Sequence, residues 1–86
     1  VKIVYSKKFI KQLKKQSAKI QELFYARIII FEDDPNSASL RNHALQGKLK
    51  GYYSINITGD IRALYQIVGD EVYLYDMIGS HSQLYG

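Results

Sequence analysis

Two short runs of alternating residues constrain this chain more than anything else in it. Tyr53, Ile55 and Ile57 alternate with polar neighbours on one side of Thr58-Gly59-Asp60, and Ile61, Ala63 and Tyr65 alternate on the other. A period of two sets each trio on one face of a β-strand. If both trios face one core, cross-strand partners have even index sums, Ile57 opposes Ile61, and Thr58 to Asp60 form a three-residue hairpin loop. The other face then follows: Asn56 lies opposite Arg62, with Ser54 and Gln66 along the same surface. Gly69-Asp70 reads as a two-residue loop with glycine first, pairing Ile67 with Val72 and Tyr65 with Leu74. The result is a three-stranded antiparallel meander. This register puts Arg62 opposite Met77 and sets Asp76 on the core side opposite Ala63. A carboxylate there conflicts with burial, so Asp76 lies at an open end or a bulge shifts the parity.

Upstream, Lys2-Ile3-Val4-Tyr5 is a short β-prone run, and Ser6 stands where a helix N-cap would. Phe9, Ile10 and Leu13 share one side of the helix that follows. Ser17 is positioned to cap a second helix, in which Ile20, Leu23, Phe24, Ile28 and Phe31 repeat the spacing of a buried stripe. Glu32-Asp33-Asp34-Pro35-Asn36 ends it, because a proline disfavours helical geometry in the residue before it. Ser37 to Lys50 reads as a long connector. The last segment, Gly79 to Gly86, suits a single helical turn that brings His81 and Tyr85 to one face by four-residue spacing. Taken together the pattern is α+β: an N-terminal strand and a pair of helices packed on a small twisted antiparallel sheet, residues 1–86 forming one domain.

Composition narrows the chemistry. The 86 residues include no cysteine and two histidines, which excludes a disulfide framework and a thiolate metal site and leaves too few imidazoles for a dedicated zinc centre without carboxylate help. The longest apolar run, Leu23 to Phe31, contains Arg27 and is too short to span a bilayer, and the N-terminus lacks an apolar signal core. The expectation is a reducing cytoplasm, with no membrane and no cofactor. Charge is concentrated by position. Residues 1–31 carry eight Lys and Arg against one Glu, a net +7, and five of these, Lys7, Lys8, Lys11, Lys14 and Lys15, lie off the apolar side of the first helix. Such a face suits a polyanion, although a solvated helix face has the same composition.

The polar side of the meander and the chain terminus hold residues suited to work on RNA. RNA carries its own nucleophile, so cleavage through the 2′-hydroxyl needs a base, an acid for the leaving 5′-oxygen, and cations for the charge at phosphorus. His43, His81 and Asp60 are the candidate proton handlers, imidazole titrating near neutral pH. Arg62, Lys48 and Lys50 are candidates to hold the phosphate, Arg62 in bidentate fashion. Tyr85 is a candidate base-stacking residue. The bland alternatives are an inert surface histidine, an ordinary turn aspartate at Asp60, an Arg62 paired with Asp60 or Asp76, and a Tyr85 that only caps the core.

The run Asn42-His43-Ala44-Leu45-Gln46-Gly47-Lys48-Leu49-Lys50-Gly51-Tyr52, then Asp60, then Gly79-Ser80-His81-Ser82-Gln83-Leu84-Tyr85-Gly86, resembles the YafQ branch of the RelE/ParE superfamily, toxins of type II toxin–antitoxin modules. Arg62-Ala63-Leu64-Tyr65-Gln66 also resembles the arginine-bearing central strand of RelE. The resemblance implies a toxin that enters the ribosomal A site, cleaves mRNA by 2′-hydroxyl attack without metal, and is silenced by a cognate antitoxin. Carried over by position, His43, Asp60 and His81 match catalytic residues of the family and Tyr85 matches an active-site aromatic. Asn56 departs from the pattern, since YafQ-type sequences have a histidine there; an amide can hydrogen-bond a phosphate but exchanges no proton near pH 7. Arg62 is the residue available to compensate through charge. The resemblance also admits a ParE-like protein that binds DNA gyrase without chemistry, and an inactive homologue that only binds antitoxin. Spacing does not divide the roles of base and acid between the two histidines.

Overall fold

A computed structural model describes residues 1–85; Gly86, the last residue of the C-terminal motif, lies outside the described residues. The chain runs β1 (Lys2–Tyr5), α1 (Lys7–Lys14), α2 (Ala18–Asp33), β2 (His43–Ala44), β3 (Tyr53–Asn56), β4 (Ile61–Gly69), β5 (Val72–Ser80) and α3 (His81–Tyr85). Short 3-10 turns at Ala38–Leu40 and Gly47–Leu49 flank β2 inside what the sequence presents as a connector. The expected serines cap the helices: Ser6 Oγ accepts from the Phe9 amide at 3.0 Å and Ser17 Oγ from the Ile20 amide at 3.2 Å. Asp34 is extended (φ −154°, ψ 100°), as a residue before proline prefers, and its carboxylate accepts from the Asn36 amide at 3.0 Å.

The sheet has the order β1-β5-β4-β3-β2. It is mixed rather than purely antiparallel, because β1 lies parallel to β5, with Ile3 beside Tyr73 and Tyr5 beside Tyr75. The first hairpin has the register read from its parity: Tyr53 pairs with Tyr65, Ile55 with Ala63 and Asn56 with Arg62. The second hairpin differs. Its loop is Asp70-Glu71 and not Gly69-Asp70, since Gly69 is already paired to Val72, and Glu71 takes a positive φ of 55°. Two irregularities then offset the strands, so that Tyr65 pairs with Tyr75 and not Leu74, and Arg62 lies opposite Gly79 and not Met77. One extra residue is Val68 on β4 and the other is Asp76 on β5.

The bulge removes the conflict over Asp76. Tyr73 and Tyr75 before it, and Ile78 after it, all belong to the core, which an unbroken period of two would forbid. Both helices cover this face of the sheet, with Phe9 and Leu13 of α1 and Phe24, Ile28 and Phe31 of α2 against Ile55, Ile57, Ala63, Tyr65, Tyr75 and Ile78. Tyr75 is the hub: Tyr5, Phe9, Phe24, Phe31 and Tyr65 have ring centroids 5.2–6.2 Å from its own. Each such pair contributes about 0.5–1.5 kcal/mol beyond area burial. No helix among the described residues is long and apolar enough to cross a membrane.

Asp76 itself is held from three directions. Tyr52 Oη donates to its carboxylate at 2.7 Å, Lys8 Nζ lies 3.3 Å away, and the Ser6 hydroxyl donates to its main-chain carbonyl at 3.4 Å. Burial alone would raise this carboxyl; the Tyr52, Ser6 and Lys8 donors outweigh it and hold the group below its ordinary value. Burial first, and then the bond to Asp76, push the Tyr52 hydroxyl up to about 12.

Three outcomes follow for stability. The Tyr75 hydroxyl is buried without a hydrogen-bond partner, so Tyr75→Phe should leave thermal stability unchanged or raise it by about 1 kcal/mol in denaturant unfolding. Tyr52→Phe should lower it by on the order of 1 kcal/mol near neutral pH. The pH dependence of that deficit has a fixed sign. Asp76 has a lowered folded pKa, so its share of stability is complete above the ordinary value of 3.8 and is lost as pH falls through the lower folded value. Tyr52 has a raised one, so its share is complete below 10.0 and is lost as pH rises towards about 12. The difference between parent and Tyr52→Phe should therefore be flat across the neutral range and shrink at both ends. A deficit independent of pH would show that the bond does not act through these two groups.

Candidate functional site

The side of the sheet away from the helices buries Ser54 and Leu64, and at one end of it seven residues line a cleft of about 470 Å³: Arg41, His43, Leu45, Asn56, Arg62, His81 and Tyr85. They come from four separate places in the chain. His43 is on β2, Asn56 on β3, Arg62 on β4, His81 and Tyr85 on α3, and Arg41 and Leu45 flank β2. The register of the sheet does the gathering. Asn56 lies beside Arg62 and Arg62 beside Gly79, so the strand next to Arg62 presents no side chain, and α3 starts two residues on.

His43 is placed through Asn42, whose side chain accepts from Tyr65 Oη at 2.9 Å and donates to the Pro35 carbonyl at 2.8 Å, pinning the loop to both α2's end and β4. Its ring nitrogen Nδ1 is 2.8 Å from the Arg41 carbonyl. A carbonyl only accepts, so Nδ1 carries the hydrogen and Nε2 is the nitrogen with a free lone pair when the ring is neutral. Beneath His43, its strand partner Ser54 is fully buried, with no partner for its hydroxyl. Arg62 pairs with neither Asp60 nor Asp76. Its Nη1 donates to the Thr58 carbonyl at 3.1 Å and the Gly59 carbonyl at 2.9 Å, which ties one corner of the guanidinium to the hairpin loop and leaves its other donors available.

The C-terminal turn carries two site residues on five residues of helix. Ser80 and Gln83 hold it: the Gln83 side chain accepts from the Ser80 amide at 2.7 Å, and the Ser80 hydroxyl accepts from the Gln83 amide at 3.2 Å. This is a reciprocal capping box. Gly79 makes room for it, since a Cβ there would lie 2.9 Å from Gln83 Oε1. Gln12 of α1 accepts from the Ile78 amide at 2.9 Å and anchors the strand just before the turn. The His81 and Tyr85 rings pack with centroids 4.5 Å apart, on one face as the four-residue spacing requires.

The remaining candidates stand elsewhere. Asp60 is exposed in the hairpin loop and does not line the cleft, and Lys48 and Lys50 are exposed on and beside the turn at Gly47–Leu49, also outside it. Lys7, Lys8, Lys11, Lys14 and Lys15 are exposed along α1, with Lys8 engaged by Asp76. Sequence reasoning missed Arg41 and Leu45, which it left inside a connector, and the capping box, whose S-x-x-Q pattern at Ser80 to Gln83 was open to view. Among the described residues no three His, Asp or Glu side chains come together as metal ligands.

Comparison with known proteins gives this site its context. No curated protein matches the chain. Among solved structures, a YoeB/ParE toxin from Agrobacterium tumefaciens is similar in fold, with a TM-score of 0.77 at 20% identity over 94% of this chain and 99% of that one. The chain is similar to the toxin of the E. coli DinJ–YafQ complex at a TM-score of 0.71 and 25% identity, covering 98% and 97%. A metal-bound toxin from Helicobacter pylori gives 0.72 and 28%, covering 99% of each chain. The model of the family described as bacterial toxin of type II toxin–antitoxin system, YafQ, matches residues 1–86. With the whole length matched and the fold shared, this chain belongs to the YafQ family of bacterial type II toxin–antitoxin toxins.

Proposed function

We propose that this toxin is a cytoplasmic, ribosome-dependent endoribonuclease that cleaves mRNA by attack of its own 2′-hydroxyl without a metal ion, and that a cognate antitoxin silences it, as DinJ accompanies YafQ in the solved complex. The observation that carries the reading is the convergence of His43, Asn56, Arg62, His81 and Tyr85 on one cleft from four separate elements.

Chemistry follows from the groups present. His43 Nε2, the ring nitrogen free of the Arg41 carbonyl, takes the proton of the 2′-hydroxyl. The 2′-oxygen attacks phosphorus, the bond from phosphorus to the 5′-oxygen breaks, and that oxygen takes a proton from the His81 imidazolium. The products are a 2′,3′-cyclic phosphate and a 5′-hydroxyl. Arg62 offsets charge on the phosphoryl oxygens, and Asn56 beside it donates an amide hydrogen bond where a histidine would otherwise titrate. Tyr85 stacks on a base next to the scissile bond. Asp60, outside the cleft, acts through the loop that holds Arg62. Lys48, Lys50 and the α1 lysines meet the ribosomal RNA. So small a face offers few groups to align an RNA in line, and the ribosome supplies that positioning.

The tests are direct. His81→Ala should cut single-turnover cleavage of ribosome-bound mRNA by about 10²-fold or more with little change in ribosome affinity. The parent should leave cyclic or 3′-phosphate ends, work in chelator that spares the ribosome, and cut free mRNA poorly. Equal rates on free and ribosome-bound mRNA would contradict the reading, and cleavage absent in both alongside gyrase binding would replace it with the ParE-like one. Replacing Lys11, Lys14 and Lys15 by Gln should flatten the salt dependence of ribosome binding, fewer counterions being released; an unchanged slope would return them to the role of a solvated face.

A further inference from the structure

Arg41 is in the left-handed region, at φ 50° and ψ 44°, one of two non-glycine residues with positive φ among the described residues. Glycine or asparagine takes this conformation readily; an arginine takes it against the clash of its Cβ with the backbone. The conformation is needed here, because it turns the chain out of the Ala38–Leu40 helix and points the Arg41 carbonyl at His43 Nδ1, 2.8 Å away. Any residue supplies that carbonyl, glycine at least cost. The backbone therefore gives no reason for an arginine, and the reason has to lie in the side chain.

That side chain is exposed and lines the cleft opposite Arg62 in the chain's connectivity, from the β2 end where Arg62 comes from β4. No carboxylate lies within ion-pair distance of Arg41 among the described residues. Arg62 has one nitrogen committed to the Thr58 and Gly59 carbonyls. We infer that Arg41 is a second phosphate-binding arginine of the cleft, its guanidinium meeting a phosphodiester of the RNA chain while its strained main chain fixes the tautomer of His43. This rests on the ribonuclease reading for the identity of the polyanion, and on geometry alone for the division of labour between main chain and side chain.

Arg41→Gly separates the two roles. The carbonyl stays, the strain goes and the guanidinium is removed. The expected result is a thermal midpoint equal to or above the parent's, with ribosome-dependent cleavage down at least tenfold in kcat/KM. Arg41→Lys should recover part of the loss, a point charge replacing a fork. Nitrogen shifts of the His43 ring should show the hydrogen on Nδ1 in both the parent and the glycine variant. A 2′-O-methyl RNA oligonucleotide, which cannot be cut, provides the second arm: Arg41→Gly should bind it more weakly and with a salt slope reduced by about one. This arm reads out even if the chain cleaves nothing, so failure of the ribonuclease reading and failure of this one are distinct. Parent-like cleavage and parent-like salt slope in the glycine variant would overturn the inference. So would a lowered thermal midpoint, which would make the arginine structural, or a lost His43 tautomer, which would move the effect to the main chain.

Discussion

One extra residue in β5 decides what both faces of this sheet can be. Without the bulge at Asp76, the strand that turns Tyr73 and Tyr75 into the core would turn Ile78 out and Gly79 in. With it, the strand changes parity midway, keeps three core side chains, and lays Gly79 beside Arg62 on the face away from the helices. A bulge leaves a residue unpaired, and here that residue is an aspartate whose carboxylate is taken by Tyr52 from the loop before β3 and by Lys8 from α1. The polar groups that close the bulge are thus the same ones that tie the loop and the first helix to the strand. Core packing and site geometry share a single local defect.

This explains which parts of the fold were legible in the sequence. The first hairpin is short, its ladder runs to Asn56 beside Arg62 with the Ile57 amide still donating to the Ile61 carbonyl, and nothing interrupts its alternation, so its register reads off directly. The second hairpin is longer and carries two extra residues, Val68 and Asp76, and an inserted residue leaves no mark on a pattern of apolar and polar letters. The only trace was the misfit of a carboxylate on the core side. Glycine misled as well: Gly69 looks like the residue to make the turn, yet it sits in the ladder while Glu71 takes the positive φ. The serine caps and helical stripes were legible because each is local, with donor and acceptor three residues apart.

The candidate site was half legible for a related reason. His43, Arg62, His81 and Tyr85 announce themselves by side-chain chemistry, and Asn56 by its place opposite Arg62. Arg41 announces nothing, since its importance rests on a backbone angle that arginine rarely adopts. Asp60, Lys48 and Lys50 look equally suited by type and lie near in sequence, but loops carry them out of the cleft. What joins the cleft residues is support by short polar contacts rather than by the core: the Asn42 peg, the Arg62 tether to its own loop, and the capping box of α3. Such supports fix direction while costing little buried surface, which suits side chains that must stay reachable from solvent.

The placement of β1 has a consequence in time. The first strand of the chain pairs with the last, Lys2 to Tyr5 against Val72 to Tyr75, and the Ser6 amide donates to the Tyr75 carbonyl at 3.0 Å. The ring that collects Tyr5, Phe9, Phe24 and Phe31 into one cluster also belongs to that last strand. A nascent chain can form its two helices early, but the surface they bury does not exist until residues 72–80 have been made and released from the exit tunnel. His81 and Tyr85 come later still. The cleft therefore assembles last: His43, Asn56 and Arg62 wait for the strand and the turn that follow them in the chain before they have His81 and Tyr85 beside them.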